Sequence, residues 1–151
     1  MRAERVTDQV SYHGEGPVWW PRWQKLRFVD MFAGDVLTLV GDRVERTPVG
    51  SPIAAALRPR MGGGAIVARE RDLAISNLDD LSDLAGFISL PEGVDMRCND
   101  GGCDPDGAFW IGTIAYSFDA EAGSLYRLDA ASRSPRRVLD RLTISNGIGW
   151  S

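Results

Sequence analysis

A turn recurs along this chain at a spacing that leaves few folds open. Trp20-Pro21, Arg58-Pro59, Asp104-Pro105 and Trp150-Ser151 stand at matching positions. The intervals from 21 to 59, 59 to 105 and 105 to 151 are 38, 46 and 46. After each of the first three, a glycine or polar turn leads into an apolar strand: LRFVD, GAIVA and AFWIGT. A period of about 40–50 residues, with about four strands per unit, is the mark of propeller blades.

The rest of the pattern agrees. Helical periodicity is scarce, and short apolar runs dominate: 16–20, 26–31, 36–40, 53–57, 65–68, 109–114 and 124–128. Many are rich in β-branched and aromatic residues, and Gly, Pro, Asp or Asn bounds each, so they read as strands with tight turns. The first unit shows four: 17–20, 25–31, 36–40 and 43–48. The expectation is an all-β chain, a β-propeller with about three blades over 14–50, 51–96 and 97–143 and the start of a fourth over 144–151. Each blade buries its faces only against neighbours. Three blades cannot close a ring, so two apolar faces would be left bare. The chain therefore reads as a fragment, a truncated product or a half that must associate, with edge-to-edge self-association as one consequence.

Composition excludes several functions. The 151 residues fit one domain, with a net charge of -4 and a pI near 5.0. An acidic chain is a poor holder of nucleic acid, whose affinity comes mainly from Lys and Arg on phosphates. The basic clusters, Arg58/Arg60 with Arg69/Arg71 and Arg133/Arg136/Arg137, read as solvated turns. No stretch approaches the roughly 18 apolar residues of a membrane span. The opening MRAERVTDQV lacks the apolar core of a secretory signal. Cys98 and Cys103 form no CxxC pair and read as small buried or half-buried thiols in a reduced compartment, so a cytoplasmic location is expected.

Other features have plain readings. Gly62-Gly63-Gly64 is a hairpin turn, because no Lys-Ser/Thr follows it as in a phosphate loop. The acidic run Leu78–Leu84 lacks the spacing of a calcium loop and reads as a surface excursion between strands. The five tryptophans, Trp19, Trp20, Trp23, Trp110 and Trp150, read as core between blades. His13 is the sole histidine, so no Ser-His-Asp or Cys-His set can be built without it. It reads as a turn residue near the channel mouth.

Three clusters remain, each just before or at the first strand of a unit: His13–Trp19, Arg97–Gly101 and Ser145–Gly147. The innermost strands of a propeller line its central channel, so equivalent repeat positions converge at one mouth. Glu15, Asn99 and Asn146 are such positions, at intervals of 84 and 47. A carboxylate and two amide oxygens are hard donors suited to Ca²⁺, Mg²⁺ or Mn²⁺ and tolerable to Zn²⁺. Asn-Gly, Asn-Asp-Gly and Glu before Gly-Pro are also ordinary turn formers.

Over nearly its whole length the chain resembles the regucalcin, gluconolactonase and luciferin-regenerating-enzyme family. The matching pieces run in order from Gly14-Glu15-Gly16-Pro17-Val18-Trp19 and Leu26–Asp30 through Arg97–Gly101, Asp104–Gly107 and Gly112-Thr113. They end with Gly123-Ser124-Leu125-Tyr126 and Ile144-Ser145-Asn146-Gly147. The resemblance implies half of a six-bladed propeller with one divalent metal, Ca²⁺ or Zn²⁺, or else Mg²⁺ or Mn²⁺, in the channel. It implies hydrolysis of a small lactone or binding of a sugar acid. Glu15 and Asn146 would be metal ligands, Asn99 would touch substrate or a bound water, and Arg97 would hold a substrate oxygen. The family completes its site with an aspartate from the other half, which serves as ligand and base, and none of the aspartates here lies in a matching motif. After Gly112-Thr113 the family often has Met and a polar substrate contact, where this chain has Ile114-Ala115-Tyr116. Tyr116 would then flank a sugar ring or simply pack as a strand aromatic. A binding propeller without turnover and an inactive half-propeller are the competing readings.

Overall fold

A computed structural model describes residues 2–90, 92–132 and 134–151. Arg133, from one of the basic clusters, lies outside them. Twelve strands form three antiparallel four-stranded meanders among these residues. Blade one comprises β1 (Gly14–Trp20), β2 (Lys25–Asp30), β3 (Asp35–Val40) and β4 (Arg43–Pro48). Blade two comprises β5 (Ala54–Pro59), β6 (Ala65–Arg69), β7 (Asp72–Ser76) and β8 (Ala85–Ser89). Blade three comprises β9 (Met96–Cys103), β10 (Phe109–Ala115), β11 (Gly123–Leu128) and β12 (Arg136–Leu142). This is the all-β propeller architecture that the turn repeat predicts. Among the inner strands, β5 lies between β1 and β9 and contacts both.

Blade two is covered on both sides, and its sequence shows how. Along β6, Ala65 and Val67 pack with Val29, Val36 and Trp23 of blade one, while Ile66 and Ala68 pack with Phe109, Ile111 and Tyr126 of blade three. A strand buried on both faces loses the polar alternation of a half-exposed one. The outer strand β12, RRVLDRL, shows the opposite: no residue in it is fully buried.

Each inner strand carries an irregularity near the same end. The register shifts between Glu15 and Val18 on β1 and between Ala54 and Ala56 on β5. On β9 it shifts opposite Ile111 and Thr113, where Asn99 and Asp100 supply the extra residue. Such bulges bend the strand and re-aim a side chain. In β1 the bulge falls at Gly16, with φ 56, followed by Pro17, which has no N–H to give the ladder.

Residues 144–151 lie outside any strand and run against blade three. The Trp150 ring packs at a tilt against that of Trp110, 5.2 Å between centroids, and Gly112 faces Ser145 so closely that a Cβ there would lie 1.9 Å from Oγ.

One sequence reading needs correction. Only Trp23 of the five tryptophans is buried, at 7% exposure, while Trp20 packs partly against the core. Trp19, on β1, and Trp150, in the segment lying against blade three, are 59% and 46% exposed. The run Leu78–Leu84 is an inter-strand excursion, but an anchored one. Asp79 accepts from Gly64 N at 2.8 Å, Arg22 Nε at 3.0 Å and Trp23 Nε1 at 3.3 Å, and Leu81 is buried. The Gly62–Gly64 stretch is the turn from β5 to β6, and both cysteines are free thiols.

Candidate active site

The three bulges open onto one cavity of about 300 Å³, lined by His13, Glu15, Phe32, Ala55, Arg97, Asn99, Asp100, Phe118 and Asn146 among others. Glu15, Arg97, Asn99 and Asn146 thus come together from residues spread over more than 130 positions of chain. The repeat explains the meeting. Glu15, Ala55 and Asn99 sit at the bulges of β1, β5 and β9, and blade two offers a methyl group where its neighbours offer oxygen donors.

Blade one holds its corner through Asp30. This buried carboxylate accepts from His13 N at 2.8 Å, Tyr12 N at 3.0 Å and Arg46 Nη2 at 2.9 Å. Desolvation opposes its charge, but these donors outweigh it and hold the carboxyl below its usual range. Met31 N returns a bond to His13 O at 2.9 Å. His13 is thereby fixed ahead of the bulge, its Nε2 3.3 Å from Glu15 Oε1 and its ring 4.8 Å from that of Phe32.

Blade three supplies Arg97 and Asn99. Arg97 is 5% exposed, and its Nη1 donates to Asn99 Oδ1 at 2.8 Å and Cys98 O at 3.0 Å. Its guanidinium lies 5.4 Å from the Phe32 ring and 5.9 Å from the Tyr116 ring. Burial pulls its pKa down, but a guanidinium remains charged at any physiological pH. With Oδ1 occupied by Arg97, Asn99 Nδ2 donates to Ser145 O at 2.9 Å. Asp100 accepts from Gly101 N at 2.7 Å and Gly147 N at 2.8 Å. Asn99 and Asp100 therefore pin the 145–147 segment that presents Asn146.

Tyr116 does not line this cavity. It follows β10, is 42% exposed, and donates its hydroxyl to Glu70 Oε1 at 2.6 Å. Burial of that hydroxyl and the Glu70 carboxylate push its pKa up to about 12. The aromatic walls instead come from Phe32 and Phe118, on the connections after β2 and β10. Sequence reading passed over both. The signal was present: 32 and 118 are 86 apart, near the 84 between Glu15 and Asn99.

Among the described residues no three His, Cys, Asp or Glu side chains cluster as a metal centre. The donor set for a cation is Glu15, the amides and the adjacent imidazole. It suits a divalent ion chemically but leaves coordination positions to be filled from elsewhere.

Residues 13–151 match the family model described as the SMP-30/gluconolactonase/LRE-like region, and the chain belongs to that family. It is 34% identical over 157 residues to a 6-deoxy-6-sulfogluconolactonase of Pseudomonas putida, covering 97% of this chain and 50% of that protein. A solved luciferin-regenerating enzyme superposes with a TM-score of 0.82 at 28% identity, covering 93% of this chain and 50% of the other. A calcium-binding regucalcin of Agrobacterium tumefaciens superposes at 0.81 with 21% identity, over 92% and 47%, and shares the fold. The chain spans about half the length of the curated relatives it matches, so its three blades correspond to half of the family's six-bladed ring. No helix among the described residues is long and apolar enough to cross a membrane.

Proposed function

We propose that the complete protein is a metal-dependent hydrolase of sugar lactones and that this chain supplies one half of its site. The observation that carries the reading is the convergence of Glu15, Arg97, Asn99 and Asn146 on one cavity. Family membership and the lactonase among its relatives support it. In this reading 14–50, 51–96 and 97–143 are repeats and 144–151 opens the next.

Glu15 and Asn146 would hold the ion, which when bound supplies a Lewis acid for a lactone carbonyl. Calcium or zinc suits the donors best, and magnesium or manganese is acceptable. Arg97 has one nitrogen committed to Asn99 and Cys98, which fixes the plane of its fork. Its other edge is then oriented to meet a substrate carbonyl or hydroxyl oxygen. Asn99 keeps Arg97 and the 145–147 segment in register and offers its amide to a ring hydroxyl. Phe32 and Phe118 give apolar walls for the carbon face of a sugar ring, and Tyr116 reaches substrate only at the outer rim.

Asp100 has each carboxylate oxygen engaged by a backbone N–H, from Gly101 and Gly147, which ties it to holding the segment that presents Asn146. The proton acceptor for the attacking water is expected from the opposite half of the ring. That gap is also what favours the second reading, a metal- or ligand-binding propeller without turnover.

The test is a panel of aldonolactones offered to the complete protein. Hydrolysis should be abolished by EDTA and restored by a divalent ion. Absence of turnover on every lactone, with metal bound, would discard the enzyme in favour of the binding reading.

A further inference from the structure

We propose that His13 is a metal ligand beside Glu15, so that this half-site prefers zinc-like ions to calcium. The inference rests on the metal reading above. His13 Nε2 stands 3.3 Å from Glu15 Oε1, and both side chains line the cavity. Two donors at ~2.0–2.1 Å from a tetrahedral ion are about 3.3 Å apart, the edge of the coordination tetrahedron. The pair is therefore already spaced to share one small cation.

The placement has structural support. His13 is held by its backbone, through Asp30 on the N–H and Met31 on the carbonyl, and by Phe32 on the ring. Its Nε2 faces Glu15 without any of those contacts depending on it. As an ion pair alone the two would gain little, because both side chains are nearly half exposed and water screens them. A shared cation gains from the same geometry. The carboxylate also offsets the positive charge of Arg97, which lines the same cavity.

The chemistry sets the selectivity. Imidazole nitrogen suits Zn²⁺ and Co²⁺, whereas Ca²⁺ takes oxygen donors and gains little from nitrogen. An ion held by Glu15 and the amides alone would lean toward calcium. Adding His13 tips the set toward zinc.

The experiment is calorimetric titration of the complete, metal-stripped protein with Zn²⁺ and with Ca²⁺, each metal alone, for wild type, His13→Ala, His13→Asn and Glu15→Gln. Thermal unfolding of each stripped variant checks that it is folded. Loss of a zinc ligand should cost on the order of 100-fold in zinc affinity and less than about threefold in calcium affinity. The Co²⁺-loaded wild type should also show a paramagnetically shifted imidazole N–H resonance that both His13 variants lack. Equal losses for the two metals would mean that His13 only positions Glu15, and the inference would fall. Unchanged zinc affinity in both His13 variants would overturn it too. If Glu15→Gln keeps both metals bound at wild-type strength, the metal reading itself fails.

Discussion

The two interfaces between blades are built from different materials. Between blades two and three the contact is broad and aromatic, with Phe109, Ile111, Tyr126 and Leu128 meeting Ile66, Leu73 and Ile88. Its polar groups are enclosed and matched, since Glu92 Oε1 accepts from both Tyr126 Oη and Thr113 Oγ1 at 2.9 Å. Between blades one and two the apolar contact is of smaller side chains, Ala54, Leu57, Ala65 and Val67 against Val29 and Val36. There the rest of the work falls to a polar latch at the periphery, Asp79 with Arg22, Trp23 and Gly64. The first interface depends mainly on burial, with the Glu92 carboxylate held by two hydroxyls. The other leans more on a carboxylate, Asp79, which is bound to a guanidinium and two N–H groups. The candidate site straddles both, with Glu15 on one flank and Asn99 on the other.

Removing the largest fully enclosed side chain on each side tests the contrast most strongly. Tyr126 is 1% exposed, and Tyr126→Ala should cost about 3–5 kcal/mol, the range for losing a buried aromatic. Leu57→Ala on the other interface should cost about 3 kcal/mol, near the low end for a buried leucine beside small neighbours that can close in. Denaturant unfolding of the complete protein measures both. The reverse order would mean that the aromatic interface is the looser one.

The latch gives the next effect. Asp79→Asn should cost about 1–2 kcal/mol at neutral pH through weakened bonds to Arg22, Trp23 and Gly64. Its pH dependence carries more information. The Gly64 N–H, then Arg22, outweigh desolvation and hold the Asp79 carboxyl below its usual range. A group with a lowered folded pKa stabilises fully above its unfolded value, about 4, and that contribution is lost as pH falls through the folded value. Wild type should therefore lose more stability below about pH 4 than Asp79→Asn does, in denaturant midpoints taken across pH. Parallel curves would show that the latch is not what acid releases.

The contrast also marks where the sequence was readable. The second strands β2, β6 and β10 stood out because each follows a proline turn and is apolar. The inner strand β9, MRCNDGGC, is largely buried yet carries no apolar run, since small and polar residues fill the crowded axis. The repeat period alone locates it. The outer strand β12 is nearly all polar or exposed, so periodicity has nothing to register. Glu15, Asn99 and Asn146 could be brought together in advance because strand period fixes depth along the axis. Phe32 and Phe118 echo the same period only faintly, because they sit on connections, and the engagement of Asp100 could not be read at all, because its backbone partners decide it. Trp19 and Trp150 misled for a related reason: residue type announces an apolar face, not whether a neighbour covers it.

The smallest prediction sharpens the account of the blade one–two interface. Arg27 lies in it, 7% exposed, opposite Thr38 in the β2–β3 ladder. Its Nη2 donates to Asp79 O at 2.6 Å and its plane lies 4.3 Å from the Trp23 ring. Its Nε and Nη1 are buried without a partner. Desolvation pulls its pKa down, and the nearby charges of Asp79 and Asp80 only partly offset this. A buried charge with most of its N–H donors unmet costs more than its remaining bond returns. Arg27→Met keeps a long flexible stem against Trp23 and removes the desolvated charge. The variant should gain about 1 kcal/mol in denaturant unfolding, and in combination with Asp79→Asn the two effects should not add, because both act on one network. A loss of stability in Arg27→Met would show instead that the stacked guanidinium is part of what holds blade one to blade two.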